Sequence, residues 1–443
     1  MKSIPAPPEL SVRNLGPRLV DSPLPLSIED DGEHSEFVPD DASVLLSVSR
    51  SPDSSAEQGL YFEKAGPRRR IYFRPAETRA AIVTCGGLCP GINSVIRSLV
   101  LELHHLYKVK DILGFRFGYE GLNAERGVPP MTLNPSVVQN IHRQGGSILG
   151  LGRGAQDTAM MVSRLQELEV DILITIGGDG TLKGAHAISE EAMRRGFDLS
   201  VVGVPKTIDN DIAFVDQTFG FDTAVQVAAQ ALDAAHTEAT SARNGIGVVK
   251  LMGREAGFIG AHAALASLDV NLCLIPEVPF DLHGNGGVLQ TLEARLLERG
   301  HALIAVAEGC GLGLDTKGAE RDASGNLRYG SKQLDVGPHL CEELTAYFSE
   351  RKLPVVVKYI DPSYMIRSVP ANASDNRYCD VLARNAVHAA MAGKTDVVVG
   401  RWNGVYTHVP LMLTTKRKKR VHPNSELWRS VVSTTGQPPL RRH

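Results

Sequence analysis

The chain reads as an α/β protein, doubly wound and built in two lobes. Three observations predict this. Short continuous runs of Val, Ile and Leu alternate with stretches of helical period, the pattern of parallel strands covered on both faces. Glycine occupies 43 of 443 positions, above ordinary usage, as many tight turns between strands and helices require. A chain of 443 residues also exceeds one ordinary core, so two or three domains are expected.

The elements follow in order. Residues 1–78 form an N-terminal extension, partly irregular. Met1–Asp53 is rich in Pro and Ser, carries an acidic cluster at Glu29–Asp31 and has no sustained period. That composition predicts a mobile or loosely packed segment. With Asp40 and Asp41 in addition it makes a poor transit peptide, and no secretory apolar stretch is present. A cytoplasmic protein is expected, with a plastid address left open for a photosynthetic source. Ala80–Thr84 (AAIVT) is a buried strand ending in the glycine turn Cys85–Gly91. Ile92, Val95, Ile96, Leu99, Val100 and Leu103 then recur at helical spacing. Asp171–Ile176 (DILITI) runs into Gly177–Thr181 and a helix with Leu182, Ala185, Ile188 and Ala192 on one side. Leu199–Val204, Ile246–Leu251, Leu272–Ile275, Leu303–Val306, Val355–Val357 and Val397–Val399 are further buried strands.

Composition excludes several classes. A net charge of −3 leaves no electrostatic footprint for nucleic acid. No apolar run approaches the roughly 20 residues that span a bilayer. The six cysteines (Cys85, Cys89, Cys273, Cys310, Cys341, Cys379) show no paired CxxC spacing. Neither a disulfide framework nor a structural zinc site is expected, and a reducing compartment fits.

The motifs all fall at strand exits, where ligands bind in such sheets. Gly86–Asn93 (GGLCPGIN) can present backbone amides to a phosphate. It lacks the Gly-Lys-Ser/Thr of a Walker A loop and by itself is equally a tight turn. Gly177-Gly178-Asp179-Gly180-Thr181 sets a carboxylate among glycines, suited to Mg²⁺ and a close nucleotide phosphate. An Asp cap on the following helix is the plainer reading, but the flanking glycines exceed what a cap needs. Pro205-Lys206-Thr207-Ile208-Asp209-Asn210-Asp211 places two carboxylates beside a Thr and a Lys. One carboxylate can take a proton from a hydroxyl while the other orients it, and the Lys and Thr can meet a phosphoryl group. On this motif alone an Asx-rich turn stays equally open. Met252–Glu255, Ile275–Glu277, Lys358 and Tyr364–Arg367 follow other strands; each by itself reads as a solvated surface group rather than a ligand contact, but cations at strand exits on one side of a sheet would form a phosphate patch.

Taken together, GGLCPGIN, GLGRG, GGDGT, PKTIDNDI, KLMGRE, IPE and KYIDPSYMIR occur in the order found in 6-phosphofructokinases. The sequence most resembles the ATP-dependent plant-type and trypanosomatid-type branch, from about Tyr61 to Gly393. The resemblance implies the phosphofructokinase fold: two similar doubly wound lobes with parallel-rich sheets and the active site in the cleft between them. It implies a nucleotide-binding lobe at 79–220 plus 366–410, a sugar-phosphate-binding lobe at 221–365 and a C-terminal segment at 411–443.

It also implies a glycolytic transferase that phosphorylates the 1-hydroxyl of fructose 6-phosphate, with ATP as co-substrate and Mg²⁺ as cofactor. Asp209 matches the proton acceptor and Asp211 its supporting acid. Arg254 and Arg153 match cations facing the moving phosphoryl group, and Lys206 and Thr207 lie in the same catalytic stretch. Thr207, Ile208, Met252, Gly253, Glu277, Lys358, Tyr364, Met365, Ile366 and Arg367 match the sugar-phosphate pocket, with Lys358 and Arg367 toward the 6-phosphate. Gly87, Arg153, Gly154, Gly178, Asp179, Gly180 and Thr181 match the nucleotide contacts, and Asp179 the Mg²⁺ ligand.

Within the family the donor turns on Gly180. Pyrophosphate users carry Asp there, which would crowd the α-phosphate of ATP, so Gly favours ATP. Lys206 points the other way, since many pyrophosphate-dependent relatives share it. Gly245 replaces an Arg of the bacterial pattern, and Tyr364-x-x-Arg367 replaces its His-x-x-Arg. Both changes put bacterial-style effector control in doubt, although allosteric control and assembly as a homodimer or homotetramer belong to the family expectation. Three alternatives stand beside this one. A pyrophosphate-dependent phosphofructokinase is the nearest. NAD and diacylglycerol kinases share GGDGT but lack PKTIDND and MGR. A non-catalytic regulatory subunit would usually have lost Asp179, Asp209 or Asp211. Lys416–Arg420 (KRKKR) reads as a solvated run, His236 as structural and Trp402 as part of a late loop or strand.

Overall fold

The computed structural model describes residues 7–26, 36–49, 59–126, 128–310 and 335–440; the acidic cluster Glu29–Asp31 lies outside them. The chain separates into two compact units. The first comprises Met1–Thr207, Ile212–Gly220 and Val369–Lys418; the second comprises Ile208–Asp211, Phe221–Ser368 and Lys419–His443. The C-terminal segment is therefore divided at Lys418, and the stretch carrying Asp209 and Asp211 is grouped with the second unit.

The first unit is organised on a nine-stranded sheet. Its strand order is Ser43–Leu45, Tyr61–Lys64, Val405–Pro410, Val397–Trp402, Ser200–Pro205, Ile172–Gly177, Arg79–Thr84, Asp111–Phe115 and Met131–Thr132. The five strands from Val397–Trp402 to Asp111–Phe115 are mutually parallel, and the flanking pairs are antiparallel. Every residue of Ile172–Gly177 and Ser200–Pro205 is buried, which is why these strands read as unbroken apolar runs. The helix Asp179–Arg194 lays Leu182, Ala185, Ile188 and Ala192 on one core with Leu173 and Val201. Each large side chain so buried contributes roughly 1.5–3 kcal/mol. The helix Ile92–Leu101 likewise buries Ile92, Val95, Ile96, Leu99 and Val100, then loosens into a π-helical turn at Glu102–Leu106.

The second unit holds a four-stranded, all-parallel sheet in the order Leu272–Leu274, His301–Ala307, Gly245–Leu251, Val356–Ile360. Ile246, Val248, Ile304 and Val306 face Leu289, Leu292, Leu340, Leu344 and Phe348 of the helices Val288–Arg299 and Val336–Glu350. The helix Phe221–Thr240 lies close to Gly247, where an added Cβ would stand 2.9 Å from Ala235 O. Among the described residues no helix is long and apolar enough to cross a membrane.

Two expectations are corrected. Val355–Val357 is not a buried strand: Val356–Ile360 is a sheet edge, and Val356 is 40% exposed. A run of valines cannot tell an edge from a centre, since only pairing decides which faces are covered. Nor are the described parts of the extension loosely packed. Leu10, Leu46, Leu60 and Phe62 share a core with Phe214, Val409 and Leu413. Arg13–Asn14 pairs with Lys394–Thr395, and Ser43–Leu45 and Tyr61–Lys64 prolong the large sheet. These apolar residues are scattered without a period, so each fills a separate place that no periodic pattern announces.

Candidate active site

In the first unit, three neighbouring parallel strands release their motifs at one edge. Arg79–Thr84 leads into Cys85–Gly91, Ile172–Gly177 into Gly178 and Asp179, and Ser200–Pro205 into Lys206. The GLGRG loop joins them: Cys85 bridges to Gly152, and Gly86 N donates to Gly152 O at 2.9 Å. Lys206, 5% exposed, donates from Nζ to Gly87 O at 2.6 Å. Burial pushes its ammonium pKa down, and the nearby Arg153 acts in the same sense. A Cβ on Gly87 would lie 3.1 Å from Arg153 Nη2, so the missing side chain makes room for a guanidinium. Gly87, Arg153 and Lys206 are thus brought together, and Gly178 lies over Lys206, its added Cβ 3.3 Å from the Lys206 carbonyl.

Asp179 is not the cap of its helix. Gly178 holds the N-cap, and Asp179 is the first helical residue, its carboxylate 2.8 Å from Lys183 Nζ. Thr181 is buried where a Cβ on Gly177 would have to sit, and its carbonyl accepts from Tyr119 OH at 2.6 Å. Gly180 is exposed, and an added Cβ would meet nothing within 4 Å. The edge therefore offers the first-turn amides of a helix, the cations Arg153, Lys206 and Lys183, and one carboxylate, a combination that suits a phosphate chain with a divalent ion. Burial pushes the neighbouring Cys85 thiol up to about 12, which leaves it almost wholly protonated near neutrality.

The second unit repeats the device on its own sheet. Gly245–Leu251 exits into Met252–Glu255, Leu272–Leu274 into Ile275–Glu277, and His301–Ala307 into Glu308 and Gly309. Gly253 has φ 129, and a Cβ there would stand 2.6 Å from Ala256 O. Arg254 Nε lies 3.3 Å from Glu308 Oε1, while burial raises the Glu308 pKa and Arg254 opposes that rise. Glu277 accepts Gly257 N with both oxygens at 3.0 Å and Val421 N with Oε1 at 2.8 Å. Met252, Gly253, Arg254 and Glu277 are thus gathered at one edge. The fourth strand's exit joins them through Asp361, 2.8 Å from Lys250 Nζ.

The helix Ser363–Ser368 follows that exit with Tyr364 78% and Met365 63% exposed, while Ile366 is fully buried. The Ile366 side chain therefore anchors the helix. Arg367 stands over the Tyr364 ring, 5.0 Å from its centroid. Lys358 is not brought to this edge. Its register partner is Gly247, four residues short of Leu251, or roughly 13 Å along a strand, and it pairs with Glu238 at 3.5 Å. At Gly245 a Cβ would press within 2.9 Å of Ala239 Cα, so no side chain fits there.

Lys206 and Thr207 are grouped with the first unit, and Ile208–Asp211 with the second. Thr207 O accepts from Thr218 Oγ1 at 2.6 Å. Ile208 is buried, and Asp209 and Asp211 are half-buried. Asn210 between them is left-handed with φ 53. Sequence reasoning missed Glu308, whose signal was a carboxylate and a glycine just past a strand, and Lys419, which lay in the run set aside as solvated.

Comparison with known proteins bears on these two edges. The profile of the family described as Phosphofructokinase matches residues 79–390. A Borreliella burgdorferi protein named ATP-dependent 6-phosphofructokinase is 48% identical over 412 residues, covering 91% of this chain and 91% of its own length. A Trypanosoma brucei brucei protein of the same name is 48% identical over 379 residues, covering 85% and 76%. The T-state crystal structure of Pichia pastoris phosphofructokinase superposes with a TM-score of 0.62 at 23% identity, covering 76% of this chain and 35% of its own. This chain thus spans about a third of that one, and the likeness is one of fold.

Proposed function

The chain belongs to the phosphofructokinase family, and from that premise we propose that it is an ATP-dependent 6-phosphofructokinase, forming fructose 1,6-bisphosphate from fructose 6-phosphate. The observation that carries the reading is the segment Pro205–Asp211. It starts at the first unit's glycine-lined, cation-bearing edge and continues into a pair of half-buried carboxylates.

In this reading the first unit takes the nucleotide and the second the sugar phosphate. Asp209 accepts the proton of the 1-hydroxyl as that oxygen bonds to the γ-phosphorus, with Asp211 in support. The bond from that phosphorus to the β–γ bridging oxygen breaks, and ADP leaves with the electron pair. Arg153, Lys206 and Arg254 counter the charge spread over the moving phosphoryl group. The bond of Lys206 to Gly87 and the contact of Arg254 with Glu308 support pre-set positions. Thr207 lies beside the same group. Asp179 is the residue that would hold Mg²⁺, since a single carboxylate completed by phosphate oxygens is its usual arrangement. Bound there, the ion would supply neutralisation of phosphate charge. Met252, Gly253, Glu277, Tyr364, Met365 and Arg367 line the sugar-phosphate side, with Arg367 toward the 6-phosphate and the buried Ile366 holding their helix.

ATP is the donor in this reading, and the open space at Gly180 supports it, as do relatives named ATP-dependent at 48% identity. A homodimer or homotetramer under allosteric control extends the same reading and is testable by light scattering and saturation curves. The deciding experiment is initial rates of the purified chain with fructose 6-phosphate and Mg²⁺, offering ATP and pyrophosphate in parallel. Turnover with ATP alone is expected. Turnover with pyrophosphate alone would mean that Lys206 outweighs Gly180, and activity with neither would point to a regulatory subunit.

A further inference from the structure

The basic run Lys416–Arg420 is not wholly solvated: Lys418 and Lys419 are half-buried. Lys419 N donates to Asp211 O at 2.8 Å, and Lys419 Nζ donates to Asn210 Oδ1 at 2.9 Å. The same ammonium lies 5.2 Å from the centroid of the Phe258 ring, within cation–π range. The next residue, Arg420, reaches Glu255 at 3.2 Å. The one after it, Val421, donates its amide to Glu277 at 2.8 Å. Three consecutive residues therefore fasten three separate loops of the second unit. Those loops carry Asp209 and Asp211, Arg254, and Glu277.

Asn210 is 5% exposed and left-handed, with a carboxylate on either side. Asparagine enters that conformation more readily than most residues, and the Lys419 ammonium adds a charge-assisted bond to its side chain. We propose that Lys419 is a positioning residue for the phosphoryl transfer: the main-chain bond from position 419 to Asp211 would survive any substitution, but the Lys419 ammonium, by holding the Asn210 side chain, fixes the direction in which Asp209 meets the substrate hydroxyl. The inference rests on the functional reading above. It differs from a general packing role in what it moves, because orientation of a base alters turnover more than nucleotide affinity.

The test uses the full chain and compares Lys419→Met, Lys419→Arg, Asn210→Ala and the Lys419→Met/Asn210→Ala double variant. Lys419→Met is expected to lower kcat by roughly 10- to 100-fold, with the KM for ATP unchanged within about twofold. Lys419→Arg, which keeps a donor cation, should recover most of the loss. If Lys419 acts through Asn210, the double variant will be little worse than the poorer single one, whereas independent roles would multiply. Turnover of Lys419→Met within about threefold of the parent, full multiplication in the double variant, or no rescue by Arg would each overturn the proposal. Should Lys419→Met fail to fold, folded Lys419→Arg and Asn210→Ala decide: a normal kcat in Asn210→Ala overturns it. A parent inactive with both donors overturns the functional reading and this inference with it. An active parent with an indifferent Lys419→Met overturns this inference alone.

Discussion

Asp209 acts as a base in the proposed reaction only if its carboxylate is both ionised and aimed. The residues around it serve the second need: left-handed Asn210 is held through its side chain by Lys419, and Asp211 accepts at its carbonyl from the Lys419 amide. Asp209→Asn preserves shape and removes only proton acceptance. It should lower kcat by roughly 10²- to 10⁴-fold, with fructose 6-phosphate binding retained by calorimetry. A variant turning over within tenfold of the parent would sink the assignment. At this scale the sequence revealed residue types better than neighbours. The carboxylate pair and the Gly180 opening were legible because they depend on composition at one spot. Lys419 was not, since its partners lie some two hundred positions away along the chain. Lys358 failed in the opposite direction: its motif placed it near the pocket, but strand register holds it beside Gly247.

Helices and strands were the most legible scale, because burial on both faces of a parallel sheet leaves unbroken Val, Ile and Leu runs. What the runs cannot give is an edge, as Val356 shows, or the distant neighbour against which a helix start packs. The turn ending at Gly91 was legible, but what lies against it was not. Gly91 caps the helix Ile92–Leu101 with φ 96, and an added Cβ would lie 2.7 Å from Cys379 Sγ. Gly284 is a matched control, since its φ of 89 is close to that of Gly91 but an added Cβ meets nothing within 4 Å. Gly284→Ala should cost about 1–2 kcal/mol, the backbone penalty alone. Gly91→Ala adds overpacking of about 1–3 kcal/mol to that penalty. Urea denaturation of both variants separates the two effects. Equal losses would show that Cys379 yields freely and that the close approach is not what requires glycine.

Stability of the first unit as a whole should depend on pH through a buried polar cluster that no motif marks. Burial drives the His388 pKa down to about 3 and lowers that of His408, against the pull of Glu63 on the latter. The His388 imidazole therefore stays neutral in the folded chain, and His408 is shifted in the same direction, while the unfolded chain protonates both below about 6.5. The unfolded state then binds more protons, so stability falls on acidification by about 1.4 kcal/mol per pH unit for each excluded proton. Glu102, in the π-helical turn, acts in the opposite sense. Burial lifts its carboxyl to about 7, whereas the unfolded group ionises above about 4.3. Its contribution is therefore present at low pH and fades as pH rises toward 7. Glu102 Oε1 lies 3.9 Å from His388 Nδ1, but with an imidazole held neutral the contact is no ion pair, and that nitrogen shares its hydrogen bond with Tyr107 OH at 2.9 Å. One group thus masks another between about pH 5 and 6.5. Glu102→Gln should steepen the loss of denaturation midpoint across that interval by about one proton's worth, and His388→Asn should flatten it. A Glu102→Gln slope equal to the parent's would mean that the folded carboxyl is already ionised there, and that the turn at Glu102–Leu106 admits water.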